Sequence, residues 1–390
     1  MTALVVAGAL CAIAVPFVLY PLLLWLRACL AEAPIVTRDW QPSVDLVICA
    51  HDEADSIGAK LENALALDYP KDRLAIRVAS DGSTDATVEI ARRFEPRGVQ
   101  VLDLPRGGKA AALCAAVAAS SGEILAFSDA NSMWQPDALK ALVRPLADAR
   151  VGGVAGDQRY AKRGEGPDAD RADGERAYWR FDRRLKRWQS RAGNAISATG
   201  AIYAVRRSLF EPPPPDATDD FMISTGVIAR GYRLVFSSDA VAVEPPADAT
   251  AGEFRRKVRI ITRGLRAVAY RRALLDPRRF GLYSVELLVH KLWRRLVFIP
   301  LGVLVLATPA CWAEGGWLAG LALGMTAGLL AGIAGLVSPA LGRFRPIRLA
   351  AYGLMVNAAC AVAAFDAARG RRVSLWESQR ATLGASGRPS

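Results

Sequence analysis

The sequence predicts an α/β protein, a mainly parallel sheet domain flanked by transmembrane α-helices, and three observations carry that prediction. Strand-like and helix-like segments alternate between residues 44 and 127. Apolar runs long enough to cross a bilayer stand near both ends of the chain. Short charged motifs fall where predicted strands end, which is where open α/β sheets bind ligands.

The alternation begins at Val44–Ala50, a buried-strand pattern, followed by a helical segment over 55–67. Further strands are expected over 74–79, 99–102 and 123–127, with helices over 84–94 and 109–119 between them. Strands separated by helices in this way predict a parallel sheet covered on both faces. Beyond it the pattern is less regular. Pro212 to Pro215 form an extended loop. The stretch 176–191 is crowded with Arg and Lys among Tyr178, Trp179, Phe181 and Trp188. It is expected to pack its aromatics on the sheet, the other reading being a helix at the lipid headgroups.

The apolar runs divide the chain into an N-terminal transmembrane helix over 1–30, a sheet domain over 34–290, transmembrane helices over 291–370 and a polar tail over 371–390. The first run, 3–26, has a cleaved signal peptide as its rival, since Ala31-Glu32-Ala33 resembles a cleavage box. No Lys or Arg precedes it, and it exceeds a signal core of about 7–15 residues, so a retained anchor is expected. Three later spans are expected over 296–313, 316–337 and 349–365. Arg343, Arg345 and Arg348 between the last two should face the cytoplasm, which puts the sheet domain there too. Arg369, Arg371 and Arg372 then fall outside, against the same rule, unless one segment does not cross.

Composition narrows the chemistry. The 390 residues are 52% apolar, with mean hydropathy +0.18. A net charge of +12 points to a polyanionic partner, and the apolar ends favour lipid or a phosphate-bearing substrate over nucleic acid. Six cysteines without a C-x-x-C pair read as reduced core residues. Only His51 and His290 are present, which excludes a multi-histidine metal site.

Four motifs share the strand-end address. Ser80-Asp81-Gly82-Ser83-Thr84-Asp85 follows a strand; it is a turn and helix cap, or else Asp81 meets a ligand. Ser128-Asp129-Ala130-Asn131 ends the fourth strand, and its oxygens suit Mg²⁺ or Mn²⁺ unless they form an Asx-turn. Arg106-Gly107-Gly108-Lys109 precedes a helix, where either the glycines admit a phosphate and Lys109 adds charge or the segment is a plain loop; it is not a Walker motif. Thr218-Asp219-Asp220 offers a carboxylate base for a sugar hydroxyl. Two further features stand apart. The basic run from Arg255 to Arg263 is a lipid-surface helix or a clamp on a diphosphate. His51 flanks a ligand or merely begins a loop, and His290 reads as an interfacial anchor.

In this order, the segments 47–52, 80–85, 108–109, 128–131, 218–220 and 256–259 resemble the family-two glycosyltransferases. The likeness is to the membrane-integrated branch that includes cellulose, chitin and hyaluronan synthases. It implies a GT-A fold and an inverting displacement on a nucleotide-diphosphate sugar. By that resemblance Asp81 is similar to the nucleotide-binding aspartate, with His51 and Glu53 beside it and Lys109 toward the donor. Asp129 and Asn131 stand at the metal-binding D-x-D position, for Mg²⁺ or Mn²⁺. Asp220 is similar to the catalytic base closing T-E-D. Arg256 and Arg259 fall where processive members have Q-x-x-R-W. Three departures follow: Asn131 replaces an aspartate, Asp219 a glutamate, and Ile260 the tryptophan. Transfer of one or a few sugars from a nucleotide sugar to a lipid-linked or glycan acceptor is therefore expected, at the inner membrane. The alternatives are a small processive polysaccharide synthase and a catalytically silent membrane scaffold.

Overall fold

The computed structural model describes residues 1–161, 173–245, 252–338 and 340–371. The expected tail beyond Arg371 and the Tyr178 side chain lie outside the described residues. The described chain forms two compact units. One holds residues 31–161 and 186–245; the other holds 1–30, 173–185 and 252–371.

The first unit is built on eight strands: β1 (Val44–Ala50), β2 (Leu74–Asp81), β3 (Val99–Leu104), β4 (Ile124–Asp129), β5 (Met133–Trp134), β6 (Val151–Tyr160), β7 (Tyr203–Arg206) and β8 (Arg233–Glu244). They form one sheet in the order β3-β2-β1-β4-β7-β6-β8-β5. The pairs β1–β2, β1–β4, β2–β3 and β6–β8 are parallel, as the alternation of strands and helices predicts. The pairs β4–β7, β6–β7 and β5–β8 are antiparallel. β7 enters between β4 and β6 from far along the chain, an insertion that local periodicity does not reveal.

All seven residues of β1 are buried, as befits a strand covered on both faces. Its side chains alternate between two cores. Leu46 and Ile48 join Ile57, Leu61 and Leu139, while Val47 and Cys49 join Leu113, Phe127 and Tyr203. The Ala54–Leu65 and Lys109–Ala118 helices supply opposite covers. The helix expected over 84–94 is shorter, Thr87–Arg92, because Thr84 and Asp85 are engaged in loop hydrogen bonds. The chain moves outward from β1 through β2 to β3 and then crosses back to place β4 on the other side of β1, so the carboxyl ends of β1 and β4 form a switch-point crevice.

The second unit is helical. Thr2–Leu30 runs through a π-turn at Val15–Leu19, where Pro16 and Pro21 interrupt regular helix bonding. Gly316–Val337 and Arg345–Ala368 follow the expected spans, and Leu282–Leu296 meets Phe298–Glu314 at a bend of 41°. Among the described residues, three helices are long and apolar enough to cross a membrane, or four if the bent pair is one span. Their apolar side chains point outward: Leu4, Leu306 and Val337 are 79%, 82% and 78% exposed. Within this unit Phe181 lies under the Arg294 guanidinium, and Asp182 accepts from Arg294 and bonds His290 at 3.0 Å. The aromatic partner of Phe181 is thus an arginine of the helical unit, where packing on the sheet was expected.

Candidate active site

Asp81 ends β2 with its side chain 1% exposed. Its Oδ1 accepts from the amides of Gly107 and Gly108, both at 2.7 Å. These glycines therefore present their N–H groups to Asp81, which corrects the expectation that they open toward a phosphate. Asp81 Oδ2 is buried and accepts no hydrogen bond; the Arg106 guanidinium stands 3.4 Å away. Gly82 permits this approach. Its φ is +59°, and a Cβ there would lie 2.7 Å from the Arg106 nitrogen.

Lys109 opens the helix after Gly108, and its Nζ stands 2.7 Å from Asp129 Oδ1 and 3.2 Å from Asp219 Oδ2. One ammonium thus joins the end of β4 to the first turn of the Asp219–Ala229 helix. Burial opposes its charge, but Asp129 and Asp219 hold the lysine pKa well above the ordinary value. Asp129 Oδ2 faces Gly200, where a Cβ would come within 2.7 Å. Only glycine leaves that oxygen open.

The two adjacent carboxylates differ in their contacts. Asp219 pairs with Lys109, while Asp220 Oδ1 accepts from the Phe221 amide at 2.7 Å. Both sit in the first turn of their helix, where the dipole favours negative charge. Across the sheet, His51 is buried, with Nε2 3.4 Å from Asp52 Oδ2. Asp52 has φ +51° and uses Oδ1 to accept from the Thr84 amide. Glu53 accepts from the Ser56 hydroxyl at 2.6 Å while its own amide donates to Thr87. The 51–53 loop is thereby stitched to the loop after Asp81.

Arg256 and Arg259 lie one turn apart on Gly252–Tyr270, a helix of the second unit, and Ile260 beside them is 47% exposed. The structure thus gathers Asp81, Lys109, Asp129, Asp219 and Asp220 in one unit and carries the two arginines in the other.

Among the described residues no group of three or more His, Cys, Asp or Glu could hold a metal. Asp129 supplies one carboxylate and Asn131 an amide two residues on. Such a set suits an ion that arrives with a diphosphate, since Mg²⁺ is usually held by one or two carboxylates plus substrate phosphates. The Gly200 cradle, which keeps Asp129 Oδ2 clear, fits that arrangement.

Sequence reading missed three buried groups close to this centre. Tyr203 stacks on Phe127 at 4.7 Å, and its buried hydroxyl has no hydrogen-bond partner. Burial, with Asp219, Asp220 and Asp129 nearby, raises its pKa well above normal. Lys60 is fully buried and donates to the Ser132 carbonyl at 2.5 Å; burial lowers its pKa to about 7. Glu244 accepts from the Ser132 hydroxyl and from Gln158, and burial raises it to about 7. A lysine within an amphipathic helix pattern gives no sign that it points inward. The run of Ser128 to Asn131, which did signal a site, stops one residue short of Ser132.

Residues 45–212 match the model of Glycosyl transferase family 2. An N-acetylglucosaminyltransferase from Rhizobium sp. (strain N33) is 26% identical over 246 residues, 59% of this chain and 54% of that protein. Glycosyltransferase AglE from Haloferax volcanii is 27% identical over 214 residues, 52% of this chain and 67% of its own. The chain spans about half the length of the N-acetylglucosaminyltransferases it matches. Among solved structures, the mannosyltransferase PcManGT from Pyrobaculum calidifontis, in complex with GDP-Man and Mn²⁺, has a TM-score of 0.72 at 25% identity. That likeness covers 94% of this chain and 100% of the other. Residues 45–212 thus resemble a family 2 glycosyltransferase domain, on a GT-A-like fold.

Proposed function

We propose, from the family 2 glycosyltransferase domain over residues 45–212, that this chain is an inverting transferase acting on a nucleotide-diphosphate sugar and a lipid-linked or membrane-proximal acceptor. The observation that carries the reading is the Lys109 bridge between Asp129 and Asp219, beside the half-satisfied Asp81 at the same sheet edge.

In this reading Asp81 Oδ2 accepts from the donor's base or ribose, a buried acceptor being costly until it is paired. His51 and Glu53 line the same loop. Asp129 and Asn131 would hold Mg²⁺ or Mn²⁺, which when bound neutralises charge on the leaving diphosphate. Lys109 adds a fixed positive charge there. Asp220 takes the proton from the acceptor hydroxyl as its oxygen attacks C1 of the sugar. The C1–O bond to the diphosphate breaks, the nucleoside diphosphate leaves with that electron pair, and the anomeric configuration inverts.

The candidate spans and the Arg343, Arg345 and Arg348 loop support a multi-pass protein of the inner membrane with a cytoplasmic domain. Ile260 replaces a stacking platform for a terminal sugar, and no ionisable residue interrupts Gly316–Val337, so a polar lining for polymer export has no support there. The product is one or a few added sugars on the cytoplasmic leaflet. To test this, sealed vesicles containing the protein receive excess radiolabelled donor and the product is sized. Short lipid-attached product is expected. High-molecular-weight polymer across the membrane contradicts it and favours the processive alternative, and absence of any donor turnover favours a silent scaffold.

A further inference from the structure

Residues 129–134 lead from β4 into β5 and carry both expected metal ligands. We propose that Lys60 and Glu244 are positioning residues for this metal–diphosphate segment: by grasping Ser132, one at its carbonyl and the other at its hydroxyl, they fix where Asp129 and Asn131 present their oxygens. The proposal rests on the metal-assisted donor reading above and adds to it residues that lie 70 or more positions away in sequence.

Ser132 is fully buried, and each of its polar groups is committed. Its amide donates to the Asp129 carbonyl at 3.2 Å, closing the turn that contains Asn131. Its carbonyl accepts from Lys60 Nζ at 2.5 Å. Its hydroxyl donates to Glu244 Oε1, and Glu244 Oε2 in turn accepts from Gln158 at 2.6 Å. Two residues on, the Asn63 side chain both donates to the Trp134 carbonyl and accepts from its amide, each at 2.8 Å. Lys60 and Asn63 stand three apart on one helix face, and the Lys60 ammonium also lies over the Trp134 ring at 5.1 Å. The Asp129–Trp134 segment is therefore held by the Ala54–Leu65 helix, β6 and β8 together.

Stability alone gives little reason for this choice. Burying a lysine and a glutamate costs more than filling the same volume with apolar side chains. What the two groups share is a grip on one residue, Ser132, from opposite sides, and that supplies geometry. Divalent ions of this class demand near-ideal octahedral oxygen positions, and misplacing a reacting or binding group by about 1 Å can cost ~10²-fold. A slackened Ser132 leaves Asp129 chemically unchanged but spreads its oxygen, and that of Asn131, over several placements.

The test uses the full chain in detergent, with calorimetric binding of UDP and of GDP over a series of Mn²⁺ concentrations. Lys60→Met and Glu244→Leu should each raise the Mn²⁺ midpoint for nucleotide binding by about tenfold and lower Tm, since each strands the other buried charge, whereas the double variant Lys60→Met/Glu244→Leu should raise the midpoint at least as much with Tm equal or higher. Glu244→Gln keeps an acceptor oxygen for the Ser132 hydroxyl and should stay within about twofold of the unsubstituted protein. An unchanged midpoint in both apolar variants overturns the proposal. So does a double variant that binds at the unsubstituted midpoint or fails to fold, since each marks a purely structural role. Absence of Mn²⁺-dependent binding in the unsubstituted protein is a different result: it refutes the donor reading on which the proposal stands.

Discussion

Two buried aspartates of one sheet, Asp45 at the start of β1 and Asp81 at the end of β2, are equally hidden yet differently used. Asp45 Oδ1 accepts from Arg77 Nε at 2.6 Å, and Oδ2 accepts from the amides of Ser121 and Gly122 at 3.0 and 2.6 Å. Both of its oxygens are satisfied within the protein. Asp81 has one oxygen doubly bonded by glycine amides and the other buried without a hydrogen bond. The same residue type, at 1% exposure in both places, is fully hydrogen-bonded at the amino edge of the sheet and only half so at the carboxyl edge, where Arg106 stands 3.4 Å from the second oxygen. Burial alone therefore does not separate the two carboxylates; the completeness of their hydrogen bonding does.

The comparison breaks or sharpens under substitution. The largest effect is expected at the closed edge. Asp45→Ala strands the buried Arg77 guanidinium and should cost about 3–5 kcal/mol of stability, read as a lowered denaturant midpoint. Loss of less than about 1 kcal/mol there would dissolve the distinction between the edges. At the open edge, Asp220→Asn should cut sugar transfer by roughly 10²-fold while nucleotide affinity and Tm hold. Retention of transfer would remove Asp220 from the base role.

Asp81→Asn should weaken nucleotide binding by about tenfold with little change in denaturant midpoint, because the open oxygen serves the ligand more than the fold. The reverse pattern, a large stability loss with unaltered binding, would make Asp81 a second Asp45. The smallest effect concerns pH. Glu244 titrates in the folded protein near pH 7, above its ordinary 4.5. The folded state then keeps a proton that the unfolded chain has released, so stability falls as pH rises through that window. Lys60, lowered to about 7, acts above that range and in the opposite sense. Glu244→Gln should therefore gain on the unsubstituted protein by on the order of 1 kcal/mol between pH 5 and 7.5. Parallel stability–pH curves would contradict it.

The parts of the fold legible in sequence are those with local causes. β1 is a continuous apolar run, and β2 and β4 end on acidic residues that punctuate it, so strands and site address are read together. Gly316–Val337 matches its apolar run end to end. The parts that were not legible depend on partners far along the chain. Insertion of β7 beside β4 brings Gly200 and Tyr203 to Asp129, and nothing within residues 195–206 announces it. The Gly107-Gly108 pair reads as a phosphate loop because the sequence does not reveal that Asp81 will occupy its amides first. Lys60 and Glu244 are invisible for the same reason: each looks like an ordinary surface charge until Ser132 is placed between them.

The carboxyl edge of the sheet is, as proposed, a metal-assisted donor site. This is tested most directly by turnover of UDP-N-acetylglucosamine, GDP-mannose and other nucleotide sugars by the full chain in detergent, with Mn²⁺, with chelator, and in Asp129→Ala. Asp129→Ala should fold normally, because its carboxylate is 33% exposed. Release of nucleoside diphosphate from at least one donor, dependent on Mn²⁺ and lost in Asp129→Ala, is expected. Equal turnover in chelator, or full activity of Asp129→Ala, would contradict it.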